Sequence, residues 1–323
     1  MKDLDFVIIG AQKCATTSLF ELLRQHPDIN MPLEKEVPFF TGEDCSPQAW
    51  DDFSKRYFSH GTGRLWGKAT PQYMANAEVP GRLAALMPST KLIALLRDPI
   101  ERSRSQYRMG ERRNTETRSF DQAMRDCLAP HALGQARANR APMHTHGYES
   151  EGEFYLSWSE YGRILQRYRA HFRAEQLLVL YLEDLEADPD GVLAQVLEFL
   201  ELDADFKPKG LGELMHAGGG SNRISEDTRK FLRNFGPISL LWRMVPRQQQ
   251  GRIRFLYERW NSKKTKAPLP LSPDVEAELK DHFSTDIRML MKLGLPLPPW
   301  AARYGVKSVL KDTPPSMAPA RAA

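Results

Sequence analysis

Lys13, Thr16, Thr17 and Ser18 crowd into six residues directly behind an apolar run, Phe6 to Ile9, that stops at Gly10 and Ala11. One cation and three hydroxyls at the point where a buried strand gives way to a helix are the parts of a phosphate cradle. The first N–H groups of a helix lack intrahelical partners, and its dipole adds positive potential there. Cys14 and Ala15 complete the loop. Its spacing is not that of a nucleoside-triphosphate loop. In G-x-x-x-x-G-K-[ST] counted from Gly10, Ala15 stands where the second glycine belongs and Thr16 where the lysine belongs. The lysine of this loop therefore comes three residues early. A tight strand-to-helix turn with a merely solvated Lys13 is the plainer alternative.

A second cluster follows another apolar run, Leu92 to Leu96, whose end carries Arg97-Asp98-Pro99. Pro99 opens a helix, and Ser105 falls eight residues after Arg97. Ligands of open α/β sheets bind beyond the carboxyl ends of the strands, so Arg97 and the cradle could share one crevice. There Arg97 would supply a forked donor to phosphate and Ser105 a hydroxyl. Between the two clusters lies Glu36, followed by Val-Pro-Phe-Phe. Apolar surroundings raise a carboxylate pKa and suit a general base, whereas neighbouring cations move it the other way. An exposed loop glutamate is the alternative, and Glu34 and Lys35 read as solvated. Lys68 closes a short strand candidate, Leu65 to Lys68.

With these four places in view, the chain resembles the PAPS-dependent sulfotransferases. Ile8 to Leu19 is similar to their 5′-phosphosulfate loop, and Arg97 to Tyr107 to their 3′-phosphate element with its arginine-to-serine spacing. Lys35 to Gly42 resembles the glutamate upstream of a Phe-Phe pair, and Gly67 to Tyr73 the lysine segment. The likeness is greatest to the heparan sulfate N- and O-sulfotransferases and the bacterial sulfotransferases related to them. It implies a P-loop-like three-layer α/β domain, with a central parallel sheet flanked by helices. It implies PAPS as co-substrate, PAP as product and no metal. The implied catalytic residues are Glu36 as base, Lys13 at the leaving phosphate and Lys68 at the sulfonyl oxygens. Thr16, Thr17 and Ser18 would hold the 5′-phosphate, and Arg97 and Ser105 the 3′-phosphate. Where heparan sulfate relatives carry a cysteine-paired loop, this chain has Ala217 to Arg223 without cysteine. Asn222 and Arg223 could close over the 3′-phosphate there, or the glycine run could be a linker. A P-loop kinase or NTPase, or a non-catalytic binder of PAP or sulfated glycans, are the rival readings.

The elements that must position these residues follow a βαβ rhythm. Apolar spacing predicts helices from Thr16 to the stop at Pro27, within Asp44 to His60, over Pro80 to Met87, from Pro99, over Glu160 to Phe172, from Pro189 after an Asp188 cap, and from Pro273 to about Leu293. A strand is expected over Leu177 to Tyr181. The segment from Asp28 to Lys35 reads as a loop, and Glu183-Asp184-Leu185 as a polar turn rather than a metal site. Residues 111–152 read as an irregular acceptor-binding loop or lid, with His144 and His146 solvated rather than metal-bound. Residues 1–300 are expected to form one domain, and 301–323 a disordered tail.

The chain has 323 residues, 41% hydrophobic and 27% charged, an ordinary globular composition. A formal charge of +4 suits an anionic ligand and is too mild to imply nucleic-acid binding. The basic stretch from Lys230 to Lys266 carries no nucleic-acid module pattern and reads as an acceptor surface or a solvated face. A small-molecule or carbohydrate acceptor is the expected partner. Three separated cysteines without a C-x-x-C motif fit a reducing compartment. Golgi members of the resembled family carry an anchor, and no apolar stretch here approaches a membrane span. On these grounds a cytoplasmic protein is expected.

Overall fold

The computed structural model describes residues 2–138, 151–212 and 269–307. Five strands, β1 (Phe6–Gly10), β2 (Ile29–Asn30), β3 (Leu65–Ala69), β4 (Lys91–Leu96) and β5 (Leu177–Tyr181), form one sheet in the order β2-β3-β1-β4-β5. Every pairing is parallel. Parallel sheets need both faces covered, which explains why β1 is buried at all five positions and β4 at five of six. The chain leaves β1 toward β3 and β2 on one side and leaves β4 toward β5 on the other. The crevice of such a sheet therefore opens between the carboxyl ends of β1 and β4.

The covering helices are α1 (Thr16–Leu23), α2 (Pro47–Phe58), α3 (Val79–Leu86), α4 (Pro99–Arg113), α5 (Phe120–Leu128), α6 (Pro130–Ala138), α7 (Tyr161–Arg169), α8 (Leu182–Ala187), α9 (Pro189–Phe199) and α10 (Pro273–Lys292). Their starts carry local signals. Ser46, Asp98, Ser119 and Asp188 accept hydrogen bonds from the first turns of α2, α4, α5 and α9. In α10 the residues at helical spacing, Val275, Leu279, Phe283, Ile287 and Leu290, are all buried. This is the α/β class expected, a central parallel sheet flanked by helices.

Four expectations are corrected. Ile29–Asn30 is an edge strand paired with Leu65 and Trp66, too short for any residue pattern to announce. Residues 111–152 are not irregular throughout. α5 buries Phe120, Ala123, Met124 and Cys127 at helical spacing and α6 follows it, while 139–150 lie outside the described residues. Glu183 and Asp184 belong to α8. The tail does not begin at residue 301. Residues 301–304 form a 3-10 turn, Tyr304 and Val306 are buried, and the Tyr304 hydroxyl donates to Asp98 Oδ1 at 2.8 Å while Arg303 reaches Asp98 Oδ2 at 2.9 Å. The aromatic and basic residues that follow Trp300 have partners on α4. Residues 308–323, the histidines of the 139–150 segment, the 217–223 glycine run and the 230–266 basic stretch all lie outside the described residues.

α7 and α10 cross at Gly162. A Cβ there would stand 2.3 Å from the Asp286 carbonyl oxygen and 2.8 Å from Met289 Cβ. The same contact lets the Asp286 carboxylate accept from the N–H groups of Gly162 and Arg163 at 2.8 and 2.9 Å, capping α7 from outside its own chain segment. Gly162→Ala is expected to lower unfolding stability by about 1–3 kcal/mol, because the obstacle is helix backbone that cannot rotate away. Urea denaturation would show it as an earlier midpoint, and an unchanged midpoint would refute the close crossing.

Candidate active site

The loop between β1 and α1 turns sharply on two non-glycine residues in the left-handed region, Lys13 (φ 72°) and Ala15 (φ 61°). Ala15 occupies the cap position of α1 and has no side chain to offer, so no side-chain cap closes the first turn. Thr16 and Ser18 are buried and Thr17 is exposed. Cys14 points inward, its Sγ 4.0 Å from the Tyr161 hydroxyl, and burial pushes its thiol up to about 12. Across the crevice, Arg97 sits half-buried at the end of β4, and its guanidinium has no hydrogen-bond or ion-pair partner among the described residues. Its carbonyl accepts from the Tyr161 hydroxyl at 3.0 Å, while Asp98 beside it caps α4 and anchors Tyr304 and Arg303. Ser105 lies half-buried farther along α4. The structure thus sets the two expected phosphate elements on neighbouring strands. Asn222 and Arg223 fall outside the described residues.

Lys13 Nζ lies 3.9 Å from Met109 Sδ on α4. Burial, then the charges of Arg112 and Arg113, bring its ammonium down to about 7, against the opposing pull of Glu151 and Glu36. Gln12 ties the loop to Glu151 through contacts of 3.1 and 3.3 Å to the carboxylate, which Arg113 also approaches at 3.9 Å. A small cleft opens here, lined by Gln106, Met109, Gly110, Arg113, Glu151 and Tyr155 among others.

Glu36 adopts a left-handed backbone (φ 67°) and its N–H donates to the Ala69 carbonyl at the end of β3, 3.0 Å away. Its side chain keeps 40% exposure. Oε1 pairs with Lys35 Nζ at 2.5 Å and Oε2 accepts from Gln72 Nε2 at 3.2 Å. Burial of the carboxyl works to raise its pKa, but Lys35, Gln72 and Lys13 outweigh it and hold it below the usual carboxylate range. Of the two directions open from sequence, the cationic one prevails. Lys35 is not simply solvated, since its side chain is only 12% exposed.

Lys68 does not join this group. It is 1% exposed, and its Nζ lies 2.6 Å from both the Val37 carbonyl and the Tyr73 hydroxyl. The cause is the alternation of β3. Lys68 shares a face with Trp66, which stacks on Phe58 of α2, so it enters the layer beneath α2 rather than facing the crevice. Lys35, Gln72, Gln12 and Glu151 are the members that sequence reasoning passed over. Gln72 lies within the Gly67 to Tyr73 segment and Lys35 beside Glu36, but Gln12 and Glu151 are 139 residues apart and no spacing joins them. Among the described residues no three His, Cys, Asp or Glu side chains converge to hold a metal ion.

The sulfotransferase domain family matches residues 3–216. Human heparan sulfate glucosamine 3-O-sulfotransferase 3B1 is 30% identical over 229 residues, 67% of this chain and 52% of that protein. The chain spans about half the length of such curated relatives. The membrane-associated sulfotransferase kil1 of Dictyostelium discoideum is 38% identical over 104 residues, 32% of this chain and 22% of that one. The solved sulfotransferase from Alicyclobacillus acidocaldarius superposes with a TM-score of 0.62 at 21% identity, over 95% of this chain and 100% of that one, which shows a shared fold.

These relatives overturn the expected cytoplasmic location, since they include a membrane-associated enzyme and heparan sulfate enzymes. The cysteine argument fails on physical grounds as well. Cys14 and Cys127 are buried thiols whose reduced state reflects burial and not compartment. Among the described residues no helix is long and apolar enough to cross a membrane. With the family matched over most of the described core and its fold reproduced, the chain belongs to the sulfotransferase domain family.

Proposed function

We propose that this protein transfers a sulfonyl group from PAPS to a hydroxyl or amine of a carbohydrate or small-molecule acceptor. The observation that carries the reading is the placement of two cation-bearing turns, Lys13 with the start of α1 and Arg97, whose guanidinium is unpartnered among the described residues, at the carboxyl ends of adjacent strands. A nucleotide with anionic groups at both its 5′ and 3′ ends fits that spacing. The N–H groups of α1 with Thr16, Thr17 and Ser18 bind the 5′-phosphate, and Arg97 with Ser105 binds the 3′-phosphate.

Glu36, ionised at neutral pH, accepts the acceptor's proton as the new S–O or S–N bond forms and the bond from sulfur to the phosphate oxygen breaks. Lys13 faces the charge left on that phosphate. A pre-aimed donor of this kind contributes on the order of 3 kcal/mol to lowering the barrier.

PAP is expected to raise the melting temperature without added metal while AMP leaves it nearly unchanged, because only PAP engages Arg97. Stabilisation by ATP with Mg²⁺ alone would replace this reading with a kinase or NTPase. Glu36→Gln should keep PAP affinity and lower turnover by about 10²–10⁴-fold. Unaltered turnover removes Glu36 from the chemistry.

Lys13 supplies a pH test. Its ammonium is present below about 7 in the free protein and is lost as pH rises through that value. Bound phosphate holds the proton on, so binding above pH 7 takes up a proton and PAP affinity falls as pH rises, by up to about tenfold per unit from this group. Calorimetry in buffers of different ionisation heat measures the uptake, which Lys13→Met should abolish.

A further inference from the structure

Lys68 and Tyr73 are both fully buried, and together they hold the turn that presents Glu36. The Tyr73 oxygen accepts from the backbone N–H groups of Phe39 at 2.8 Å and Phe40 at 3.2 Å. Two donors fill the two lone pairs of a phenol, so its own proton must go to a neighbouring acceptor, Lys68 Nζ or Thr70 Oγ1. Lys68 Nζ, 2.6 Å distant, can receive it only as an amine with a free lone pair. The same nitrogen retains an N–H for the Val37 carbonyl at 2.6 Å. Thr70 Oγ1 completes the cluster, 3.5 Å from the same carbonyl.

The charged alternative fares worse. Lys68 forms no ion pair among the described residues, and a buried ammonium without a counter-charge is strongly disfavoured. The rings of Phe53 and Tyr73, 5.1 and 4.7 Å from Nζ, offset only part of that cost as cation–π partners. Burial likewise pushes the ammonium far below its ordinary range and the phenol above its own.

We propose that Lys68 is held as a neutral amine and acts as a positioning residue. It accepts from Tyr73, donates to Val37, and so pins residues 37–40 and the Glu36 turn against β3. The role in catalysis rests on the proposed function; the protonation state does not. The positive charge beside Glu36 then comes from Lys35 and Lys13.

The test is the Lys68 ¹⁵Nζ signal of ¹⁵N-lysine-labelled full-length protein, assigned by its loss in Lys68→Met or, should that variant not fold, in Lys68→Gln. A neutral-amine shift that does not titrate between about pH 6 and pH 9 is expected. An ammonium shift at pH 7 overturns the proposal. In turnover, Lys68→Gln, which can still accept from Tyr73 and donate to Val37, should stay within about tenfold of the parent, while Lys68→Met, which can do neither, and Lys68→Arg, a permanent cation that displaces the turn, fall about 100-fold, all keeping PAP affinity. The reverse order, with arginine active and glutamine dead, would make Lys68 a cationic catalyst. Because the NMR signal is independent of activity and Glu36 is tested in its own variant, failure of the sulfotransferase reading and failure of this one are seen separately.

Discussion

The first turn of α1 has N–H groups that its own helix cannot answer, and Ala15 at its cap position has no side-chain oxygen to offer them. Holding Lys13, Ala15 and Glu36 at positive φ costs of order 1–3 kcal/mol each. Such strain persists only where the neighbours over-determine it. Here they are β1, buried along its whole length, the Ala11 N–H bonded to the Leu95 carbonyl, and the Glu36 N–H bonded to the end of β3.

Charge is handled differently at the crevice and away from it. Glu160, 2% exposed, is met by Arg137, Arg163 and His282, and its carboxyl is brought down to about 2 despite its burial. That cluster joins α6, α7 and α10 and leaves nothing to offer a ligand. At the crevice Arg97 stands without such a partner among the described residues, Lys13 is crowded by two other cations, and Lys35 shares an exposed carboxylate. An anion entering there is compensated by groups already desolvated, where charge–charge attraction is strongest.

The fold was legible because strands buried on both faces are continuous apolar runs and helices advertise their starts, as Asp188-Pro189 does for α9. That the loop behind β1 and the Arg97 turn stand at neighbouring strand ends was legible because each is a local cluster directly after an apolar run. Lys68 was misread for a reason of parity: in a strand, one position decides which face a side chain enters, and β3 is too short for its apolar pattern to declare the register. The Lys35–Glu36 pair depended on a left-handed turn that no residue type announces. The contact between Gln12 and Glu151 is a product of tertiary packing alone.

The way the last described residues return to the core sets where the protein can be cut. The family match ends at residue 216, yet Asp286 caps α7 and Tyr304 braces the Asp98 turn from beyond that boundary. A recombinant fragment ended at the match would expose the α7 face that Phe283, Ile287 and Leu290 abut, and would loosen the support behind Arg97. The packed core therefore extends past the matched stretch, to Tyr304 and Val306.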